Sequence, residues 1–451
     1  MIIRPARRLH GHVPGLPGDK SITHRAALIS ALAAGRTRIT NFSTSQDCTS
    51  TLECLRHLGV SIERDGSTVI VDGVGSGSAG LPPRFRATTD ALDCGNSGST
   101  IRMLAGVLAG QPFTSVLTGD DSLRTRPMKR IIAPLEMMGA RLTSEDGRAP
   151  LRIEGHHPLT PIRYEMPIAS AQVKSCVLLA GLHAEGRTEV VERGIVTRDH
   201  TERMLNWFGV DVKAGKEGSV GDAAPSYTVA VEGGARLSAH DIAVPGDISS
   251  SAFLLVAASM LPGSSLKIAR VGLNPTRAEL LKVLDALGAE VRTVSTREVS
   301  NEPVGDIEVR GADRLMPPTK GSEANTLRGS MIAGLIDELP VLSVLGTRVE
   351  GGLVIRDAKE LRVKESDRIS TTVENLRAMR AEVEEYEDGF AVQGPVRLRG
   401  AHLKAHGDHR IAMAFTVAAL AAEGESYIEG AECVGVSFPE FFQLLDSVTE
   451  R

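Results

Sequence analysis

LRHLGVSIE (55–63) closes a helix-like stretch on a glycine and then runs on in alternation, and the chain returns to this figure four more times. The copies are LEMMGARLT (135–143), LNWFGVDVK (205–213), LDALGAEVR (284–292) and LRAMRAEVE (376–384), with a truncated sixth at FPEFFQLLD (438–446). A glycine just past the last helical turn tolerates the left-handed conformation that ends a helix. Period-two alternation after it marks a half-buried strand. The fifth position of successive copies recurs every 70 to 92 residues, which is the signature of a repeated supersecondary unit. Ahead of each copy lies an apolar helix rich in small residues, starting near Lys20, Ser97, Ser170, Asp247, Leu339 and His409, followed by a strand-like run. Each repeat therefore reads as helix, strand, helix, strand.

Two repeats open alike, at LPGDKS (16–21) and VPGDIS (244–249), so six units divide into two domains of three with these stretches as the chain crossings. The first-helix stretches AALISALAAG, STIRMLAGVLAG and VKSCVLLAGL are apolar on nearly every face, which places them inside their domain. Helices buried side by side can aim several N-termini at one place.

The 451 residues, 42% of them hydrophobic, suffice for a core in each domain. A net charge of −5 and an aromatic content of 3% argue against a nucleic-acid partner, which would need a basic surface and stacking platforms. The longest apolar runs, AFLLVAASML and IAMAFTVAALAA, fall short of the about 18 residues that cross a bilayer, so no membrane partner is expected. Five cysteines, at 48, 54, 94, 176 and 433, form no CxxC pair and no metal-ligand spacing, which points to reduced thiols and a cytoplasmic location. The motif-bearing region begins at residue 18, leaving little room for a cleavable leader.

Short motifs discriminate further. GSGSAG (75–80) matches a dinucleotide fingerprint by letter, but Pro82 and Pro83 forbid the helix that must open there, so it reads as a surface loop. GLPGDKS has Asp19 where a P-loop needs glycine. GNSGS (95–99) falls one glycine short of a nucleophile elbow, and the adjacent His156 and His157 suit a turn better than a metal site. What remains is a set of polar residues at the first-helix N-termini: Lys20, Ser21 and Arg25; Asn96, Gly98 and Arg102; Ser170 and Gln172; Asp408, His409 and Arg410. Helix N-termini with arginine or lysine make an anion site, and a substrate with several phosphate and carboxylate groups would fit it. RVKESDR (362–368) opens the second helix of the fifth repeat, where LRTRPMKR (123–130) and VTRDHTER (196–203) stand in the second and third.

In order along the chain, GDKSITHRA, DCGNSGSTIRM, LRTRPMKR, ASAQVKS, TRDHTERM, LIDELPVL, ELRVKESDR, HGDHRIAM and SFPEF resemble the 5-enolpyruvylshikimate-3-phosphate synthase family over almost the whole chain. The resemblance implies an α/β fold of two similar domains, each of three βαβαββ repeats with buried parallel helices. It implies one domain from residues 1–18 and 243–451, another from 19–242, and an active site in the cleft between them. It implies transfer of the enolpyruvyl group of phosphoenolpyruvate to the 5-hydroxyl of shikimate 3-phosphate with release of phosphate, by a monomer, with no metal or organic cofactor. Carried over residue by residue, Lys20, Ser21, Arg25, Ser170, Ala171, Gln172, Arg198, Asp337 and Lys364 are the expected shikimate 3-phosphate contacts. Lys20, Gly98, Arg126, Gln172, Arg368 and Arg410 are the expected phosphoenolpyruvate contacts, and Asp337, Glu365 and Lys20 the expected catalytic set. Gly98 leaves the phosphoenolpyruvate pocket open in a way that should admit glyphosate.

Ala171 stands where a second serine often follows Ser170, Glu360 where an asparagine often stands, and Val436 at the place of a C-terminal lysine; SAQVKS, TRDHTE and SFPEF together resemble the family's second sequence class. Three rival readings stay in view. A UDP-N-acetylglucosamine enolpyruvyl transferase generally carries a reactive cysteine near the region of DDSLRTRP, where this chain has none. A non-catalytic phosphate-ligand binding protein would not need both Asp337 and Glu365, and an RNA 3′-phosphate cyclase should be more basic.

Overall fold

The computed structural model describes residues 1–75, 85–217, 225–317 and 325–451; most of GSGSAG lies outside the described residues. The chain forms two compact units, one of Met1–Pro17, Pro245–Val299 and Pro303–Arg451 (the first unit), the other of Gly18–Val244 and Ser300–Glu302 (the second unit).

Helices alternate between an inner and an outer member of each repeat. Apart from the five-residue helices Asp121–Thr125 in the second unit and Met331–Leu335 in the first, those of the second unit are α1 (Lys20–Leu32), α2 (Gln46–His57), α3 (Gly98–Ala109), α4 (Lys129–Met137), α5 (Ala171–Gly181) and α6 (His200–Trp207). In the first unit they are α7 (Ile248–Met260), α8 (Glu279–Ala286), α9 (Leu339–Gly346), α10 (Arg368–Ala378), α11 (His409–Leu420) and α12 (Phe441–Ser447). The odd-numbered helices are the apolar ones, and every residue of α1 from Ile22 to Leu32 is buried, as is all of α9 and α11. A helix apolar all round has no solvent face to keep, and each buried leucine or isoleucine contributes about 1.5–3 kcal/mol. Each unit has its own apolar core.

The outer helices end as the repeat figure predicts. Gly59, Gly139, Gly209 and Gly288 have φ between +86° and +99°, and Arg380 takes the same left-handed position at +69°. Where the repeat pattern alone gives a single strand after the outer helix, five repeats have a hairpin, and a strand precedes each inner helix, in keeping with the βαβαββ unit that the resemblance implies. In the second unit, Ser61–Asp65 pairs antiparallel with Thr68–Val74, which pairs with Ala34–Thr40, which runs parallel to Ile242–Ala243. The same order recurs from Leu92–Asp93 through Arg141–Glu145, from Arg163–Glu165 through Lys213–Glu217, and twice in the first unit. Two-residue leading strands are too short to show alternation, so only pairing reveals them.

The sixth repeat is completed by the N-terminus: Ile2–Ile3 pairs with Ser426–Glu429, which also runs parallel to His402–Lys404. Likewise Arg8–Val13 supplies the parallel leading strand for Ser265–Gly272, and Ile242–Ala243 does so for the first repeat. Each unit thus closes its set of sheets with a segment from a remote part of the chain.

Candidate active site

The inner helices of the second unit begin on side-chain caps. Asp19 accepts from Ile22 N ahead of α1, Ser97 from Thr100 N ahead of α3, and Ser170 from Val173 N ahead of α5. Capping by a short polar side chain satisfies one orphan donor and leaves other N–H groups directed outward. The expected contacts Lys20, Gly98 and Ala171 are the first residues of α1, α3 and α5.

Hydrogen bonds tie these termini together. Arg198 Nη1 donates to Ser21 Oγ at 3.1 Å; Arg25 donates through Nε to Thr201 Oγ1 at 2.7 Å and through Nη2 to Ser175 Oγ at 2.8 Å. Gln172 donates to Ser99 Oγ at 2.9 Å and accepts from Arg102 Nη1 at 2.5 Å. Arg126, in the junction before α4, donates to Asn96 Oδ1 at 2.5 Å and Ser122 Oγ at 3.1 Å. A Cβ on Gly98 would lie 2.9 Å from Arg102 Nη1 and in ordinary contact, 3.5 Å, with Arg126 Nη1, so glycine leaves the Arg102 guanidinium its room. Lys20 Nζ pairs with Asp47 at 2.8 Å, a partner the motif reading did not single out. Burial, and then repulsion from Arg198, bring the Arg25 pKa down to about 10.

Beneath these termini a neutral chain links the helices: His24 Nδ1 meets Thr51 Oγ1 at 2.7 Å, Thr51 meets Thr100 Oγ1 at 2.7 Å, and Thr100 donates to Ser97 Oγ at 2.8 Å. Burial pushes the His24 pKa down to about 3, so the imidazole is uncharged at neutral pH.

A second polar group lies wholly inside this unit. Lys174, with no exposed side-chain surface, pairs with Glu202 at 2.7 Å and Glu192 at 3.1 Å. Burial pulls the ammonium pKa down, but the two carboxylates together outweigh it and hold the pKa above its ordinary value. Burial in turn raises the Glu202 pKa against the pull of Lys174.

The first unit has its own cluster. Asp408, fully buried, caps α11 by accepting from Arg410 N and pairs with Arg368 Nε at 2.8 Å. Arg368, the first residue of α10, also reaches Glu365 at 2.5 Å and Asp337 at 3.5 Å. Burial depresses the Arg368 pKa, yet Asp408 and Glu365 outweigh it and the net displacement is upward. Arg410 Nη1 donates to the Asp337 carbonyl and to Ser249 Oγ, each at 2.8 Å. Asp337 and Glu338 form the turn before α9, and buried Arg277 lies 4.0 Å from the first and 3.8 Å from the second. The Lys364 pKa is lowered by burial, which outweighs the attraction of Asp337 and Glu360. Lys364 and Glu365 lie in the link between a 3₁₀ turn ending at Val363 and α10, so RVKESDR leads into the helix and only Arg368 is part of it.

Every expected contact therefore falls in one of two clusters: Lys20, Ser21, Arg25, Gly98, Arg126, Ser170, Ala171, Gln172 and Arg198 in the second unit, and Asp337, Lys364, Glu365, Arg368 and Arg410 in the first. The sequence reading missed Asp47, Lys174, Glu192, Arg277 and Glu338, whose partners are remote in the chain. Among the described residues no group of histidine, cysteine, aspartate or glutamate is arranged to hold a metal, all five cysteines are free thiols, and no helix is long and apolar enough to cross a membrane.

Residues 3–445 match the family model of EPSP synthase (3-phosphoshikimate 1-carboxyvinyltransferase). The chain belongs to the EPSP synthase family. It is 48% identical to the 3-phosphoshikimate 1-carboxyvinyltransferase of Koribacter versatilis over 100% of this chain and 99% of that protein. It is 51% identical to that of Pelotomaculum thermopropionicum, over 98% and 97% of the two chains. Among solved structures, EPSP synthase from Acinetobacter baumannii superposes with a TM-score of 0.83 at 39% identity, covering 99% of this chain and 97% of that one. The enolpyruvyl transferase NikO from Streptomyces tendae, at 18% identity, shares the fold with a TM-score of 0.76 over 100% and 97% of the two chains. The α/β repeat architecture is that of the enolpyruvyl transferases, and the EPSP synthase family is a family of enzymes.

Proposed function

We propose that this chain transfers the enolpyruvyl group of phosphoenolpyruvate to the 5-hydroxyl of shikimate 3-phosphate, releasing inorganic phosphate. The observation that carries this reading is the family match across residues 3–445. It favours this substrate pair over a UDP sugar and over the phosphate-ligand and cyclase readings. The two clusters serve one pair of substrates, with Lys20 shared by both. Ser21, Arg25, Ser170, Ala171, Gln172 and Arg198 hold shikimate 3-phosphate, joined by Asp337 and Lys364. Gly98, Arg126, Gln172, Arg368 and Arg410 hold phosphoenolpyruvate, the planar guanidinium forks matching carboxylate and phosphate. The enzyme acts as a cytoplasmic monomer on small molecules and needs neither metal nor organic cofactor.

In the addition step the 5-hydroxyl oxygen bonds to C2 of phosphoenolpyruvate, losing its proton, while the methylene carbon gains one. In the elimination step the new methyl group gives up a proton, the double bond re-forms and the C–O bond to phosphate breaks. Asp337 receives the hydroxyl proton. Glu365, held by Arg368 at 2.5 Å, protonates and later deprotonates the methyl carbon. Lys20 stabilises charge on the departing phosphate, for which it exchanges its pairing with Asp47.

A phosphate-release assay offering phosphoenolpyruvate with either shikimate 3-phosphate or UDP-N-acetylglucosamine tests the activity. Turnover with the first acceptor alone is expected; turnover with the UDP sugar, or with neither, refutes the reading. Dialysis against a chelator should leave the rate unchanged. Asp337→Asn and Glu365→Gln should lower turnover by roughly 10² or more, the size of a general acid–base contribution, while shikimate 3-phosphate affinity stays within about tenfold. Deuterium exchange into the phosphoenolpyruvate methylene at the parent rate in Glu365→Gln would remove Glu365 from the proton transfer.

A further inference from the structure

Arg198, a proposed phosphate contact, lies on the loop between the strand Arg187–Arg193 and α6. Loop side chains hold a defined geometry only where something fixes the backbone, and here both ends of the segment are fixed. At the far end, Thr201 Oγ1 accepts from Arg25 Nε and meets Ser175 Oγ at 2.6 Å. At the near end, all three polar groups of Thr197 are engaged. Its carbonyl accepts from Lys174 Nζ at 3.1 Å, and its N–H and hydroxyl donate to Glu192 Oε1 at 3.0 and 2.5 Å. Lys174 bridges to Glu192 and also to Glu202, on α6 just past Arg198.

The stability such a group contributes is a weak reason for its presence. A buried ion triad replaced by well-packed apolar side chains is often neutral or stabilising. Here, however, the hydrogen bonds of Lys174 and Glu192 converge on the residue immediately before Arg198. Lys174 also stands one turn beyond Ser170, Ala171 and Gln172 on the same helix. The ammonium therefore sets the position of the first turn of α5 relative to the backbone that carries Arg198. The lysine of SAQVKS and the glutamate of TRDHTE are thereby partners in one buried ion pair.

We propose that Lys174, acting with Glu192 and Glu202 through Thr197, is a positioning residue for the phosphate-binding part of the acceptor site, and that it discriminates shikimate 3-phosphate from unphosphorylated shikimate. The proposal rests on the assignment of Arg198 and the first turn of α5 to the acceptor phosphate. Lys174 touches no substrate; its effect is on where Arg198 stands.

The test is titration calorimetry of shikimate 3-phosphate and of shikimate with the parent enzyme and with Lys174→Met, Glu192→Gln and Thr197→Val, each checked for a cooperative melt. Displacing a binding group by a fraction of an ångström to an ångström is costly, so Lys174→Met should weaken shikimate 3-phosphate by roughly tenfold or more, with shikimate changed by less than about threefold. The KM for phosphoenolpyruvate at saturating acceptor, to which Gln172 of the same turn contributes, should rise by less than the shikimate 3-phosphate affinity falls. Thr197→Val, which keeps the backbone bonds, should move the same ratio less. If Lys174→Met does not fold, the ratios in Glu192→Gln and Thr197→Val decide. A folded variant that keeps the parental ratio, or loses both ligands equally, overturns the proposal and leaves the functional reading standing. A parent that binds neither ligand overturns both.

Discussion

His24 sits one turn beyond Lys20 and, among the described residues, is bonded to neutral groups, Thr51 Oγ1 at 2.7 Å and Cys48 Sγ at 3.7 Å, with the charges of Asp47, Lys20, Arg25 and Asp19 nearby. With its pKa at about 3, against an ordinary 6.5, the native state leaves it unprotonated in a range where the unfolded chain binds a proton. Stability conferred by the neutral ring is complete above about pH 6.5 and declines as pH falls towards 3, at about 1.4 kcal/mol per pH unit. His183, lowered to about 4 by burial, acts in the same direction. Urea unfolding at pH 7 and pH 5 should therefore show a loss of stability on acidification that is smaller by about 2 kcal/mol in His24→Gln. An equal loss in parent and variant would show that His24 takes up its proton without leaving its bonds. At this scale the candidate site was legible where charge type and motif coincide, as at Lys20 and Arg410. It was not legible at Asp47, whose meaning comes from the Lys20 ammonium 2.8 Å away.

Among the elements, α3 and α5 approach so closely that a Cβ on Gly106 would lie 2.2 Å from the Cys176 carbonyl oxygen, which explains the small residues of these inner helices. Four of the outer helices share one ending, from which the short α12 and, in residue type, α10 depart. Gly59, Gly139, Gly209 and Gly288 have their counterpart in Arg380, exposed and at φ +69°. A left-handed non-glycine residue carries about 1 kcal/mol or more of strain, partly offset by the larger unfolded-state entropy of glycine. Arg380→Gly should consequently raise stability by about 0.5–1 kcal/mol, seen as a higher urea midpoint with unchanged m-value. A lower midpoint would mean that the Arg380 side chain contributes more than the strain costs. The helix endings were readable because a glycine acts within one turn. The hairpins after the first five outer helices and the short leading strands were not legible in the local pattern and entered only through the family resemblance, because a strand is defined by its partner across the sheet.

For the whole molecule, the two units each have a core and a cluster of cationic side chains, and the proposed function assigns Arg126 of the second unit and Arg410 of the first to the same substrate. Loss of one charge-assisted pair costs about 1.5–3 kcal/mol, so Arg126→Ala and Arg410→Ala should each raise the KM for phosphoenolpyruvate by about tenfold or more, with a smaller effect on shikimate 3-phosphate. If both act on one anion, the double variant should depart from additivity by about 0.5 kcal/mol or more in kcat/KM. Strict additivity, or equal losses for both substrates, would show that the two residues do not share phosphoenolpyruvate.

The amino-acid sequence by itself determined the repeat, the six inner helices and their starts, and the charged residues that the motifs carry, because these depend on neighbours within a few turns. Hydrophobic period, capping residues and a glycine past the helix end are local, and they survive in one chain read without its fold. Only the tertiary structure decided which remote segment completes each sheet, with Ile2–Ile3 beside Ser426–Glu429 and Arg8–Val13 beside Ser265–Gly272. It also decided the pairing of Lys174 with Glu192 and Glu202, and of Arg368 with Asp408. The physical reason is the same in each case: a buried charge or a strand edge must find a partner, and the partner is set by packing rather than by sequence distance.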